Sequence, residues 1–247
     1  MKYKIIRTIV ISFIITGFVS CHSAKVKDVD GNSYNTITIG NQIWLKENLK
    51  VTRFNDGTPI PLVRDNDSWI TQTGPAYCWY ANDSANKDIY GALYNFHTVD
   101  SKKLCPTGWH VPDQADWYEL VNIIGDVTVT GDKLKEAGTS HWKSPNNGAD
   151  NKFGFTALPA GYRSFNGSFN YMWIAAYWWS SSISIQSTAY FWYMRYNLSF
   201  IDKLIAEKNN GFSVRCIKDK PVVRENKRCE AFSVLTPLSL LVTRQSR

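Results

Sequence analysis

The side chains of this chain best suited to acid–base or nucleophilic work are Asp113 and Asp116, the run Ser180-Ser181-Ser182, and four histidines: His22, His97, His110 and His141. Paired carboxylates can divide the roles of acid and base, and a serine becomes a nucleophile only beside a base. Asp113 and Asp116 have a simpler use. Pro112 holds the chain extended, Asp113 stands as a helix N-cap, and Asp116 sets negative charge at the positive helix end. Trp117, Leu120, Val121 and Ile124 then recur at helical spacing, giving one apolar face. The serines have no histidine near them in sequence, the histidines are scattered, and no CxxC pair occurs, so a zinc site has little support. No catalytic constellation emerges, and the chain reads as a non-enzyme.

The elements that must position any site are short. Asp30-Gly31 marks a hairpin, Tyr34 to Ile39 reads as a strand, and Gly40-Asn41 turns the chain into a second strand over 42–45. Residues 54–76 form a long polar loop, followed by an ordered patch at Cys78-Trp79-Tyr80. Asp88 caps a short helix carrying Ile89, Leu93, Phe96 and Val99. After the helix that starts at Asp113, a brief helix is expected over 131–137 and a polar loop over 138–152. Phe153 to Pro159 is strand-like. Between Tyr162 and Phe200 lie fourteen aromatic residues in thirty-nine positions, with strand composition over 189–196. The stretch 211–216 alternates strictly, so that Phe212, Val214 and Cys216 share one face of a buried terminal strand.

The N-terminus sets the compartment. Lys2, Lys4 and Arg7 precede an apolar segment, Thr8 to Ser20, of signal-peptide length and too short for a membrane span. It ends in Phe18-Val19-Ser20-Cys21, which resembles a bacterial lipobox with Phe where Leu is usual. Residues 1–20 are therefore read as a signal peptide and 21–25 as a tether lipidated at Cys21. Residues 26–219 are read as one domain and 220–247 as a basic, mobile tail. The expected product is an exported lipoprotein held at the outer membrane or cell surface by acyl chains, each buried CH₂ contributing about 0.8 kcal/mol. The net charge of +7 comes mostly from the two ends of the chain, leaving 20 basic against 19 acidic residues over 21–220. Such a near-neutral body gives no footprint for a nucleic acid. Export permits disulfides among Cys78, Cys105, Cys216 and Cys229, for which three pairings exist.

Three blocks together carry a family resemblance. The first is Asp30-Gly31-Asn32-Ser33-Tyr34, then residues 39–44 and Glu47-Asn48-Leu49. The second is Tyr90-Gly91-Ala92-Leu93-Tyr94-Asn95, running on to Cys105-Pro106-Thr107-Gly108-Trp109-His110-Val111-Pro112 and Trp117. The third is Gly154-Phe155, Leu158-Pro159-Ala160-Gly161-Tyr162-Arg163, Trp179-Ser180-Ser181 and the stretch 211–216. Over about residues 26–219 these blocks resemble the Fibrobacter succinogenes major paralogous domain, a family of exported, often lipid-anchored bacterial proteins. The block before the capped helix, with the final strand, is also similar to formylglycine-generating-enzyme-like domains. That likeness implies a C-type-lectin-like α+β domain with two main helices, small antiparallel sheets and long loops. It further implies a disulfide between Cys105 and Cys216, with Cys78 single or paired to Cys229. The copper-binding cysteine pair of formylglycine-generating enzymes has no counterpart, since only Cys216 lies in that region.

The resemblance turns attention to binding. Aromatic rings flanked by polar residues stack on sugar faces or fill a partner's pockets. Trp173, Tyr177, Tyr190, Tyr193, Arg195 and Tyr196 are the candidate ligand residues, while Trp178, Trp179, Phe191 and Trp192 are assigned to the core. The lectin calcium motifs are missing. Asp65-Asn66-Asp67, Asn82, Asp83 and Asp88 offer hard oxygens for at most a structural calcium, and no other cofactor is expected. The leading reading is a non-catalytic surface module for a glycan or protein ligand. The alternatives are a structural or accessory envelope lipoprotein, and an unrecognised enzyme of the formylglycine-generating-like superfamily.

Overall fold

The computed structural model describes residues 25–221; the expected signal peptide, Cys21 and most of the tail, Cys229 included, lie outside the described residues. The described chain is α+β, with short helices and five small antiparallel sheets. Thr36–Ile39 and Gln42–Leu45 pair as expected across the Gly40-Asn41 turn. Ile217–Lys218 adds beside the second of these strands, and Trp109–His110 closes the sheet. The beginning and end of the domain thus share one sheet. Cys105 and Cys216, 111 positions apart, are joined by a disulfide that fastens the approach to the helix against the last strand.

The helix Gln114–Ile124 is built as its sequence dictates. Asp113 accepts from the backbone N–H of Asp116 at 2.9 Å, and Asp116 accepts from that of Asp113 at 3.0 Å, a reciprocal capping box. Gly125, at φ 92°, ends the helix. Trp117, Leu120 and Val121 are buried against Trp44, Phe155, Trp178 and Trp192.

No second long helix forms among the described residues. The expected helix from Asp88 to Val99 is split into Lys87–Tyr90 and Phe96–Asp100, with the bridge strand Leu93–Tyr94 between them. Gly91 is the cause: it turns the chain at φ 76°, where a Cβ would stand 2.8 Å from the Leu49 carbonyl oxygen. Asn95 then caps the second helix by accepting from the Thr98 N–H at 3.1 Å. The expected strand over 153–159 is likewise replaced by a tight loop. Gly154 and Thr156 both have positive φ, the Asn151 side chain accepts from the Thr156 N–H at 2.8 Å, and only Ala157 forms a bridge, to Lys135.

The aromatic run folds into a three-stranded sheet of Ala175–Ile185, Thr188–Arg195 and Asp202–Glu207, in that order. The third strand, poor in aromatics, is not apparent from the sequence. Register pairs Tyr177 with Tyr193, Trp178 with Trp192 and Trp179 with Phe191. Because successive strand residues face opposite ways, Trp178 enters the cluster around the capped helix while Trp179 enters the one around Tyr94, Phe96 and the disulfide. Both indoles are tethered, Trp178 Nε1 donating to Asn48 Oδ1 at 2.9 Å and Trp179 Nε1 to the Tyr94 carbonyl at 2.7 Å. The stretch 211–216 is buried on both of its faces, since Ser213 and Arg215 are enclosed as fully as Phe212, Val214 and Cys216.

Candidate ligand-binding site

Tyr177, Phe191, Tyr193 and Arg195 share one face of the three-stranded sheet, by the same alternation that sends Trp178 and Trp192 to the other. Tyr177 and Tyr193 stack at 6.1 Å, and Tyr177 also stacks on Phe212 at 5.6 Å. Tyr162, from the adjoining hairpin Ala160–Arg163 and Phe169–Met172, meets Tyr177 edge-on at 4.9 Å and stacks with Tyr171 at 6.0 Å. The Arg195 guanidinium lies 5.6 Å from the Tyr171 ring centre. The result is an unbroken aromatic row from Tyr171 through Tyr162 and Tyr177 to Tyr193, with buried Phe212 packed against Tyr177.

This surface is concave. A recess of about 170 Å³ is lined by Tyr171, Tyr177, Phe191, Tyr193, Arg195 and Leu204. A groove of about 520 Å³ shares Tyr177, Phe191 and Leu204 with it and continues past Tyr162, Phe165 and Phe212 toward Asn210 and Glu207. Together they reach the size range of small-ligand sites.

The hairpin that supplies Tyr162 and Tyr171 is held from beneath. Arg163, fully buried, donates to the carbonyls of Gly167, Val63, Arg64 and Asp65 and to Asn66 Oδ1, at 2.6–3.3 Å. Its guanidinium is sandwiched between Trp69 at 4.4 Å and Phe169 at 5.0 Å. Tyr171 and Trp173 both occupy the left-handed region, at φ 62° and 65°. A non-glycine residue there costs on the order of 1–3 kcal/mol and persists where its surroundings over-determine it, which happens most often at functional sites.

The Tyr162, Tyr177 and Tyr193 phenols stay protonated at neutral pH. Burial pushes the Tyr177 hydroxyl well above the usual tyrosine range, with Tyr162 adding to the rise. Burial and then the Asp202 carboxylate raise Tyr193, and burial raises Tyr162. The face is therefore a set of flat rings whose hydroxyls both donate and accept.

The six residues picked from the sequence do not form one site. Tyr177, Tyr193 and Arg195 come together in the groove. Tyr190 lies on the opposite face, where the Lys203 ammonium sits between it and Tyr118, 5.5 and 4.7 Å from the ring centres. Trp173 is 57% exposed but lines a separate recess of about 390 Å³ beside His141, Trp142 and Lys143. Tyr196 lies below Lys143, whose ammonium is 5.3 Å from its ring centre. Tyr162, Tyr171, Leu204 and Phe212 were not singled out, and Phe191, assigned to the core, is buried yet borders the groove. Tyr162 and Tyr171 belong to the same aromatic run, so strand parity was the missing signal.

The acid–base candidates have structural duties. His110 Nδ1 is 2.6 Å from Asp219 and its Nε2 is 3.1 Å from Asp116, so neither ring nitrogen is left to act as a base. Ser181 and Ser182 do approach His110 and Asp113 around a pocket of about 400 Å³, but the Ser182 hydroxyl accepts from the Gln114 N–H at 3.1 Å. Among the oxygens considered for calcium, Asp65 caps a helix turn through the Ser68 N–H, Asn66 binds Arg163, Asp83 caps Ala85 and Asp88 pairs with Lys50. No group of three or more His, Cys, Asp or Glu side chains suited to a metal occurs among the described residues. Cys78 is fully buried and has no disulfide partner among the described residues. Burial pushes its thiol up to about 12, which makes it a poor nucleophile. No helix among the described residues is long and apolar enough to cross a membrane.

A family model described as the Fibrobacter succinogenes major domain matches residues 37–218, which takes in the turn at Gly40-Asn41 with the strand after it, the capped helix, the aromatic sheet and the last strand. No curated protein and no solved structure matches the chain.

Proposed function

The chain belongs to the Fibrobacter succinogenes major domain family, and from that premise we propose that it is a non-catalytic binding module whose aromatic groove takes a glycan. The observation that carries this reading is the row of exposed or half-buried tyrosines, Tyr171, Tyr162, Tyr177 and Tyr193, in ring contact along one concave face. Flat rings match the apolar faces of sugars, and phenol hydroxyls pair with sugar hydroxyls. The non-catalytic part of the reading is supported by His110, held between two carboxylates, and by the capping role of Asp113.

The finer fold assignment, a C-type-lectin-like domain, is part of the same proposal. Its support is the sharing of one sheet by the early strands Thr36–Ile39 and Gln42–Leu45 and the last strand, and the long loops around it. So is the location: an exported lipoprotein held at the outer membrane or cell surface through Cys21. Radiolabelled palmitate should enter the wild-type protein and not a Cys21→Ser variant, and equal labelling of the two would overturn the anchor.

The binding proposal is tested with the purified full-length chain on an array of bacterial, plant and host glycans. Binding to at least one class is expected, with loss of about tenfold or more in Tyr177→Ala, since stacking contacts are worth roughly 1 kcal/mol or more each beyond the area they bury. An array blank for every class would refute the glycan reading. Tyr177→Ala binding as well as wild type would refute this location for it.

A further inference from the structure

We propose that the ligand of the groove is an acidic sugar, one whose carboxylate is received by Arg195; this rests on the reading of the aromatic face as a glycan site. The inward arginines of the domain differ sharply in their partners. Arg163 donates to five acceptors, and Arg215 reaches the Phe155 carbonyl and Asn48 Oδ1. Both are fully buried, and both hold protein acceptors through their terminal nitrogens, although the Arg215 Nε has no acceptor. Arg195 lines the recess, yet its guanidinium takes part in none of the hydrogen bonds or ion pairs among the described residues, and its Nε is sealed from solvent without an acceptor. Its one close partner is the face of Tyr171.

A buried donor left unpaired is costly, and a guanidinium sheltered by aromatic rings binds a planar carboxylate through two parallel N–H···O bonds. Asp202, the nearest carboxylate on the neighbouring strand, does not meet this need. It lies opposite Tyr193 in the register, 3.4 Å from that hydroxyl, while its other oxygen accepts from the Lys203 N–H at 2.7 Å. Lys135 is near Arg195 only through the backbone: its ammonium donates to the Arg195 and Leu198 carbonyls and pairs with Asp132. Arg195 is therefore the cation of the groove that lacks a counter-charge. A uronic acid supplies one on the rim of a ring, where stacking on Tyr171 or Tyr177 would present it to the guanidinium.

The test compares oligogalacturonate with the same oligosaccharide after reduction of its carboxyls to alcohols, by calorimetric titration of the full-length chain. The acidic form should bind at least tenfold more tightly, and raised salt should narrow the gap. Arg195→Gln should abolish the preference, so that this variant binds the acidic and the neutral form equally. Arg195→Lys, which keeps the charge and loses the fork, should recover only part of the preference, and either variant serves if the other is poorly folded. Tyr177→Ala should weaken both sugars. Equal binding of the two sugars, both lost in Tyr177→Ala, would overturn the carboxylate assignment and leave the glycan reading standing. Dextran sulfate binding as tightly as oligogalacturonate would also overturn it. Failure of every sugar, here and on the array, would remove both.

Discussion

Removing the Cys105–Cys216 cross-link by the double substitution Cys105→Ala/Cys216→Ala tests how the domain is held together. The two residues are 111 positions apart in sequence, and both are buried. In the chain-entropy description, closing a loop of that length lowers the freedom of the unfolded chain by about 16 cal/mol/K, or about 5 kcal/mol at 25 °C. For a domain of this size that corresponds to a fall in Tm of roughly 10–20 °C. Truncating two buried side chains also removes packing, and the molecule contains its own control. Cys78 is equally buried and bears no cross-link among the described residues, so Cys78→Ala measures the packing loss of one sulfur alone. The assay is equilibrium unfolding in urea for the wild type and both variants. The double variant should lose about 5 kcal/mol more than twice the Cys78→Ala loss. Its m value should also rise, because the released chain exposes more surface when unfolded. A double variant that loses no more than twice the Cys78→Ala value, with an unchanged m, would refute the reasoning. The unfolded chain would then already be compact across those 111 positions.

Two further outcomes follow from the region around the capped helix. Asp113→Ala removes the cap on the Asp116 N–H and should lower stability by about 1 kcal/mol, with Asp113→Asn retaining most of it; urea midpoints check this, and equal losses in the two variants would show that the cap is not the cause. For His110, the bond to Asp116 raises the ring pKa, burial opposes the rise, and Asp219 adds to it. A folded pKa above the unfolded value means a contribution fully present below about pH 6.5 and lost as pH rises through the folded pKa. The slope is softened because His110 is 42% exposed. Unfolding free energy should therefore decline above neutrality in the wild type, and a His110→Asn variant with the same decline would exclude His110 as its source.

The parts of the fold legible in the sequence are those fixed by local chemistry. The Asp113–Asp116 box, the helix face and the hairpin across Gly40-Asn41 each follow from a few neighbouring residues. The Cys105–Cys216 bridge was reached through family likeness, because four cysteines leave three pairings open. What the sequence hid depends on tertiary approach. Gly91 breaks the expected second helix because the backbone at Leu49 passes too close for a side chain. The strand Asp202–Glu207 is an edge strand with four of its six residues exposed, so its pattern carries no buried face to recognise. The site is half legible: composition points to Tyr177, Tyr193 and Arg195, but it groups Tyr190 with them although Tyr190 stands three and five positions from Tyr193 and Arg195 and so shares the other face with Trp192.

Strand parity explains why core and groove arise from one aromatic run. A slip of one residue in the pairing of Ala175–Ile185 with Thr188–Arg195 would turn one strand over against the other, carrying either Trp178 or Trp192 to the groove face and the tyrosine of the same strand into the core. The indoles prevent it. Trp178 needs Asn48, Trp179 needs the Tyr94 carbonyl, and Trp192 donates to the Gln114 side chain at 2.6 Å, each bond available in one register alone. Tryptophan thus fills the sides that face helix and loop, where its single donor finds a fixed acceptor. Tyr177 and Tyr193, on the face that also carries buried Trp179 and Phe191, stand where the rings reach water and where a hydroxyl that both donates and accepts is of use to a ligand. The choice of ring at each position separates scaffold from site more sharply than the number of rings does.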